Sequence, residues 1–181
     1  AALPDGRLLA FIHARHYNGD GCVPLQPKKN LSGRTFLGYK MSTDGGRHWS
    51  SFVNVTRGFD SSSTYTSTKQ LVLVYPLEHG VGLEGLMVLK SEPIKDNAPI
   101  VWQPPQPIAL AKPFSQLNAV TTGPGGGGGI QLQTGPKRGR LLFCGVGHPR
   151  NDTRPKARLG YVVVSDDLGV SWRQTGAHEG F

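Results

Sequence analysis

The sequence predicts an all-β chain built from repeated units, and three observations lead there. A pattern, Ser-x-Asp-x-Gly-x-x-Trp, occurs twice, at residues 42–49 and 165–172. Each copy follows an apolar run of strand character, at 35–41 and 160–164. Glycine (25) and proline (14) are abundant in the 181 residues, and no apolar period of 3.6 residues is sustained. The pattern has a legible geometry. Asp44 and Asp167 stand where a turn carboxylate accepts hydrogen bonds from backbone N–H groups ahead of it. Gly46 and Gly169, two residues on, tolerate positive φ, and the hydroxyls of Ser42 and Ser165 join the turn network. Trp49 and Trp172 open the next strand and are expected to bury their rings as core residues.

The elements follow in order. A turn at 1–7 leads straight into a strand at 8–12, an opening that reads as the middle of a fold. Residues 13–35 are polar and irregular, with His13, His16 and, later, His79 as unremarkable polar positions. The strand at 35–41, the first turn pattern and a strand at 50–55 come next. The Ser/Thr-rich stretch 56–69 reads as a loop and 70–75 as a buried strand. A strand at 86–91, a turn-rich insert and a strand resuming at 100–102 form a third, degenerate copy near 91–102, marked by Trp102. The three tryptophans imply units of roughly 50–70 residues, compatible with propeller blades carrying insertions. Prolines at 103–118 exclude a central strand. Strands at 130–133, 139–145 and 160–164 precede the last turn.

Several chemistries are excluded. A formal net charge of +8 favours an anionic partner. The basic clusters at 137–140 and 150–158 read as solvated surface, and without a helix-turn-helix, zinc-finger or ribonucleoprotein motif no nucleic acid is expected. No apolar stretch reaches transmembrane length. Gly123, Gly125 and Gly128 formally match Gly-x-Gly-x-x-Gly, but a strand rather than a helix follows, so no dinucleotide site is expected. Asn18-Gly19-Asp20-Gly21 lacks the other ligands of a calcium loop. Cys22 and Cys144 belong to no metal-binding spacing and either pair or stay free. No metal and no cofactor is expected. Asn30, Asn54 and Asn151 head glycosylation acceptor triplets, which favours a secretory route, lysosomal or extracellular.

The turn patterns resemble the Asp-boxes of sialidases (neuraminidases), and further segments sharpen that likeness. Residues 3–11, Leu-Pro-Asp-Gly-Arg-Leu-Leu-Ala-Phe, look like a strand of the sialidase first blade. The glycine run ending in Ile130-Gln131 is similar to the family's Gly-Pro-Gly-x-Gly-Ile-Gln loop, and 136–145 with 165–173 look like the animal lysosomal type. These motifs keep the family order from residue 3 to 173, whereas 56–85 fit poorly and lack an Asn-Pro-type motif. The resemblance implies a six-bladed β-propeller of which residues 1–181 supply about three blades, as a fragment.

The resemblance also implies an exo-α-sialidase that removes terminal sialic acid from glycoproteins, glycolipids or oligosaccharides with retention. The family nucleophile is a Tyr activated by Glu, because a carboxylate nucleophile would be repelled by the carboxylate of the sugar. By resemblance, Asp20 is the general acid/base and Arg15 contacts the sugar near its 4-hydroxyl. Three arginines clamp the substrate carboxylate in the family; those arginines, the Tyr and its Glu are expected outside these residues. The 181 residues alone are therefore expected to be inactive, and poorly soluble because a half-closed propeller leaves open blade faces and strand edges. The alternative is a non-catalytic Asp-box propeller fragment that binds carbohydrate or serves as an interaction module.

Overall fold

Period-two alternation of apolar side chains sets the strands of the chain, seen here in a computed structural model that describes residues 1–15, 35–58, 60–76, 86–108, 117–121, 128–149 and 159–179. β1 (Leu8–Arg15), β2 (Thr35–Ser42) and β3 (Val53–Arg57) form a first antiparallel sheet in that order. β4 (Ser62–Tyr65), β5 (Leu71–Pro76), β6 (Leu86–Lys90) and β7 (Gln106–Pro107) form a second, again in sequence order. The third contains β8 (Leu117–Thr121), β9 (Ile130–Gln131), β10 (Leu141–Pro149), β11 (Leu159–Ser165) and β12 (Arg173–Glu179). Its order is β12-β11-β10-β8, with β9 also on β10. The described residues hold no helix. None is therefore long and apolar enough to cross a membrane.

The sheets stack through two apolar layers. Leu9, Leu37 and Tyr39 of the first sheet meet Leu71, Leu73, Tyr75 and Leu89 of the second. On its other face, Val72, Val74, Leu86 and Val88 meet Leu141, Phe143, Tyr161, Val163 and Trp172 of the third. The middle sheet is thus covered on both sides, and every residue of β5 is buried. That is why β5 reads as a continuous apolar run instead of an alternating one.

Several expectations need correction. Residues 56–69 are not one loop, because β4 pairs there with β5, Ser62 opposite Val74 and Tyr65 opposite Leu71. Its hydroxyl side chains hide it in composition, yet Ser62 and Thr64 are buried. Backbone pairing and neighbours, not its own hydrophobicity, make it a strand. β1 runs on through His13 to Arg15, and β3 starts at Val53, later than expected. In the 100–102 segment only Trp102 pairs, in an isolated bridge to Ser91.

The tryptophans differ more sharply. Trp172 is 8% exposed, its ring edge-on to Phe143 at 5.7 Å between centroids. Half-buried Trp102 lies 6.3 Å from both Phe11 and Tyr39 of the first sheet. Trp49, expected in the core, is 42% exposed. Trp102 and Trp172 each face the sheet before their own, and among the described residues no sheet lies in front of Trp49.

The stack has two ends. At one lie the turn loops, and there Arg7, 5% exposed, ties the first two sheets together. Its guanidinium donates to Ala98 O at 2.6 Å, to Lys95 O at 3.1 Å and to Asp5 at 2.7 Å. Asp5 in turn accepts from the Asn97 amide at 3.1 Å. Gln131 joins the second and third sheets at the same end, accepting from Ser67 N at 2.7 Å and donating to Gly139 O at 3.1 Å. β1, β3 and β5 finish at the opposite end.

Candidate functional site

The two repeated turns are built alike. Ser42 Oγ donates to Asp44 Oδ1 at 2.8 Å and accepts from Gly46 N at 2.9 Å. Asp44 Oδ1 also accepts from His48 N at 3.0 Å, and Oδ2 lies 2.6 Å from His48 Nδ1. In the second turn, Ser165 Oγ donates to Asp167 Oδ1 at 2.7 Å and accepts from Gly169 N at 2.7 Å. Asp167 Oδ1 accepts from Ser171 N at 2.8 Å, and Oδ2 accepts from the Ser171 hydroxyl. Gly46 and Gly169 have φ of +92° and +84°, a region that costs an L-residue about 1–2 kcal/mol.

These donors act on the carboxylates. The His48 amide and ring, with the Ser42 hydroxyl, hold Asp44 down to about 2. Burial works against charge at Asp167, but the Ser171 hydroxyl and amide and the Ser165 hydroxyl outweigh it, again giving about 2. A carboxylate so engaged stays ionised and has its lone pairs spent on the turn, which suits structure and not proton transfer. Ser91 directly follows β6, in the place that Ser42 takes at the end of β2, but Pro93 stands two residues on, where the other turns have Asp. Its hydroxyl instead accepts from Leu71 N at 2.9 Å and donates to Glu92 O at 2.8 Å.

Of the residues assigned to chemistry, Arg15 falls at the opposite end. Arg15 is the last residue of β1, in register with Thr35. Asp20, the general acid/base by resemblance, lies outside the described residues, as do Cys22, Gly123 and Gly125. The described end of the glycine run is used for packing. Gly129 N donates to Ser63 O at 3.0 Å, and a side chain at Gly129 would overlap the Phe143 ring. Cys144 is free and exposed, and Asn54 is exposed on β3. Among the described residues no group of three or more His, Cys, Asp or Glu side chains could hold a metal ion.

Beside Arg15 the structure brings together residues that sequence reasoning passed over. His13 Nδ1 lies 3.1 Å from Asp60 Oδ1, an ion-pair contact joining β1 to the segment that enters β4. Asp60 is 9% exposed and holds φ of +42°. Next to it Ser62, 1% exposed, has a buried hydroxyl without a hydrogen-bond partner. The available signal was alternation: continued past residue 12, it puts His13 and Arg15 in one strand.

No family model matches the chain. Among solved structures, it is similar to the Hadza microbial sialidase Hz136, with 15% identity and a TM-score of 0.66 over 97% of this chain and 36% of that one. It is also similar to a protein of unknown function from Dyadobacter fermentans DSM 18053, with 14% identity and a TM-score of 0.67 over 97% of this chain and 52% of that one. The chain thus has a sialidase-like, all-β fold and spans between about a third and a half of the length of these two structures.

Proposed function

We propose that this chain is part of a retaining exo-α-sialidase, contributing about three blades of a six-bladed β-propeller. One observation carries the reading: the likeness to a microbial sialidase runs through 97% of the chain. The two Asp-box turns, at 42–49 and 165–172, support it by capping corresponding hairpins at one end of the stack. Catalytic residues would then gather at the other end, where β1 delivers Arg15 and leads toward Asp20. The substrate is a terminal α-linked sialic acid on a glycoprotein, glycolipid or oligosaccharide.

In this reading Asp20 protonates the leaving glycosidic oxygen, then activates the water that releases the sugar. Arg15 binds the sugar. Arginine suits that task because its planar, permanently charged group offers several fixed donors. Turnover further requires the carboxylate-binding arginines, the Tyr nucleophile and its Glu from outside residues 1–181.

The test is Asp20→Asn in the full-length protein that contains this chain. Asparagine keeps the shape but neither gives nor takes the proton. Poor leaving groups need protonation as the bond breaks, so turnover of sialyl-lactose should fall roughly 10²–10⁴-fold. An aryl sialoside, with its better leaving group, should lose far less. Equal slowing of both substrates, or none, would remove Asp20 from the chemistry.

A further inference from the structure

We propose that Gly58 and Asp60, just ahead of β4, brace the end of β1 and so position Arg15 for substrate binding, with His13 and Asp60 as the positioning residues. The inference rests on the sialidase reading and adds to it a role for residues that the family pattern does not supply here. Two routes run from the buried core of the second sheet to the last residues of β1. Along the first, Gly58 packs on the ring of fully buried Tyr75 so closely that any side chain there would overlap it. Gly58 N then donates to Thr35 O at 3.3 Å, and Thr35 is the residue in register with Arg15.

Along the second route, Ser62 pairs with Val74, another core residue of β5. Two residues earlier Asp60 reaches His13, two residues before Arg15 on β1. The end of β1 is therefore fastened from across the β1–β2 pair and from along its own strand. Asp60 holds a left-handed backbone at φ +42°, which Asp tolerates better than most residues and which persists where surroundings over-determine it. Asp60 Oδ1 lies 3.1 Å from His13 Nδ1, a contact that also orients that ring. A tie that only joined two sheets could lie anywhere along the interface; this one ends within two residues of the arginine assigned to the sugar.

The experiment is a double-mutant cycle between His13→Ala and Arg15→Ala in the full-length protein, with kcat and KM measured on an aryl sialoside and Tm measured alongside. His13→Ala leaves the backbone at residue 60 untouched. It should raise KM roughly tenfold with kcat changed by less than about threefold, the scale expected when a binding group is misplaced. His13→Asn, which keeps a donor near the position of Nδ1, should restore most of that loss. In the Arg15→Ala background, His13→Ala should add nothing, because coupled residues are non-additive. Should His13→Ala not fold, Asp60→Asn, which keeps an acceptor but loses the charge, carries the same cycle with a KM increase of about threefold. A full multiplicative loss on top of Arg15→Ala, or a lower Tm with unchanged KM, would overturn the brace alone. A wild-type protein without sialidase turnover would overturn the functional reading, and the brace with it.

Discussion

The turn loops at 42–49 and 165–172 make the same Ser–Asp–Gly hydrogen bonds within about 0.2 Å of one another, yet their tryptophans end in different places. Trp49 is 42% exposed and Trp172 is 8% exposed. Trp49 turns its indole N–H to its own loop, donating to Gly46 O at 3.0 Å. Trp172 lies in the layer formed with β5 and β6, edge-on to Phe143. The carboxylate and hydroxyl network is thus a local device that closes without help from neighbouring sheets. Burial of the ring depends on whether a sheet stands in front of it.

The comparison can be broken most directly at the rings. In the 181-residue chain, Trp172→Ala should cost about 3–5 kcal/mol, the range for removing a large aromatic from a packed layer. Trp49→Ala should cost less than about 1 kcal/mol, because that ring has little burial to lose. Urea denaturation of the two variants measures the gap. In the full-length protein, a sheet covering Trp49 would close it, and equal costs in the short chain would refute the contrast.

The hydroxyls test the other half of the comparison. Ser42 and Ser165 are both buried, and each donates to its aspartate while accepting from its glycine amide. Ser42→Ala and Ser165→Ala should each cost about 1–3 kcal/mol, since a buried or partly buried glycine amide loses its acceptor. The two values should agree. A cost at Ser165 several times that at Ser42 would mean that the network leans on packing after all.

The smallest effect is the acid dependence. Asp5, Asp44 and Asp167 are all held at about 2 in the folded chain; for Asp5 the chief cause is its hydrogen bond from Arg7. A carboxylate with a lowered folded value binds fewer protons folded than unfolded, so its contribution is present above the unfolded value, near 3.9. That contribution is lost as pH falls from about 5 toward 2. The denaturation midpoint should decline across that window, and Asp44→Asn and Asp167→Asn should each flatten the decline. The slope is modest because the turn carboxylates face solvent. An unchanged slope in both variants would show that the turns contribute no pH dependence.

Most strands were legible because their own residues demanded them. The apolar runs of β2, β5, β6, β10 and β11 bury side chains whatever the final stack. β4 was not, since Ser62, Ser63 and Thr64 carry the composition of a loop and become a strand by pairing with β5. The candidate site divides in the same way. Arg15 and Asp20 stand out through the resemblance, which expects an Arg and then an Asp after the Leu-Leu-Ala-Phe strand within one continuous segment. His13 and Asp60 come from separate segments and meet only when the first two sheets are packed.

By itself the sequence determined what short-range physics controls: the all-β class, the strand runs, and turns in which Asp, Ser and Gly satisfy one another within a few residues. Tertiary structure decided which faces are covered, and so why Trp172 is enclosed and Trp49 is not. It also made the contacts that cross sheets, with Arg7 reaching the carbonyls of Ala98 and Lys95, Gln131 reaching Ser67, and Asp60 reaching His13. Local hydrogen bonds are set by backbone spacing that a sequence displays. Inter-sheet contacts are set by the register and stacking of distant strands, which no single segment encodes.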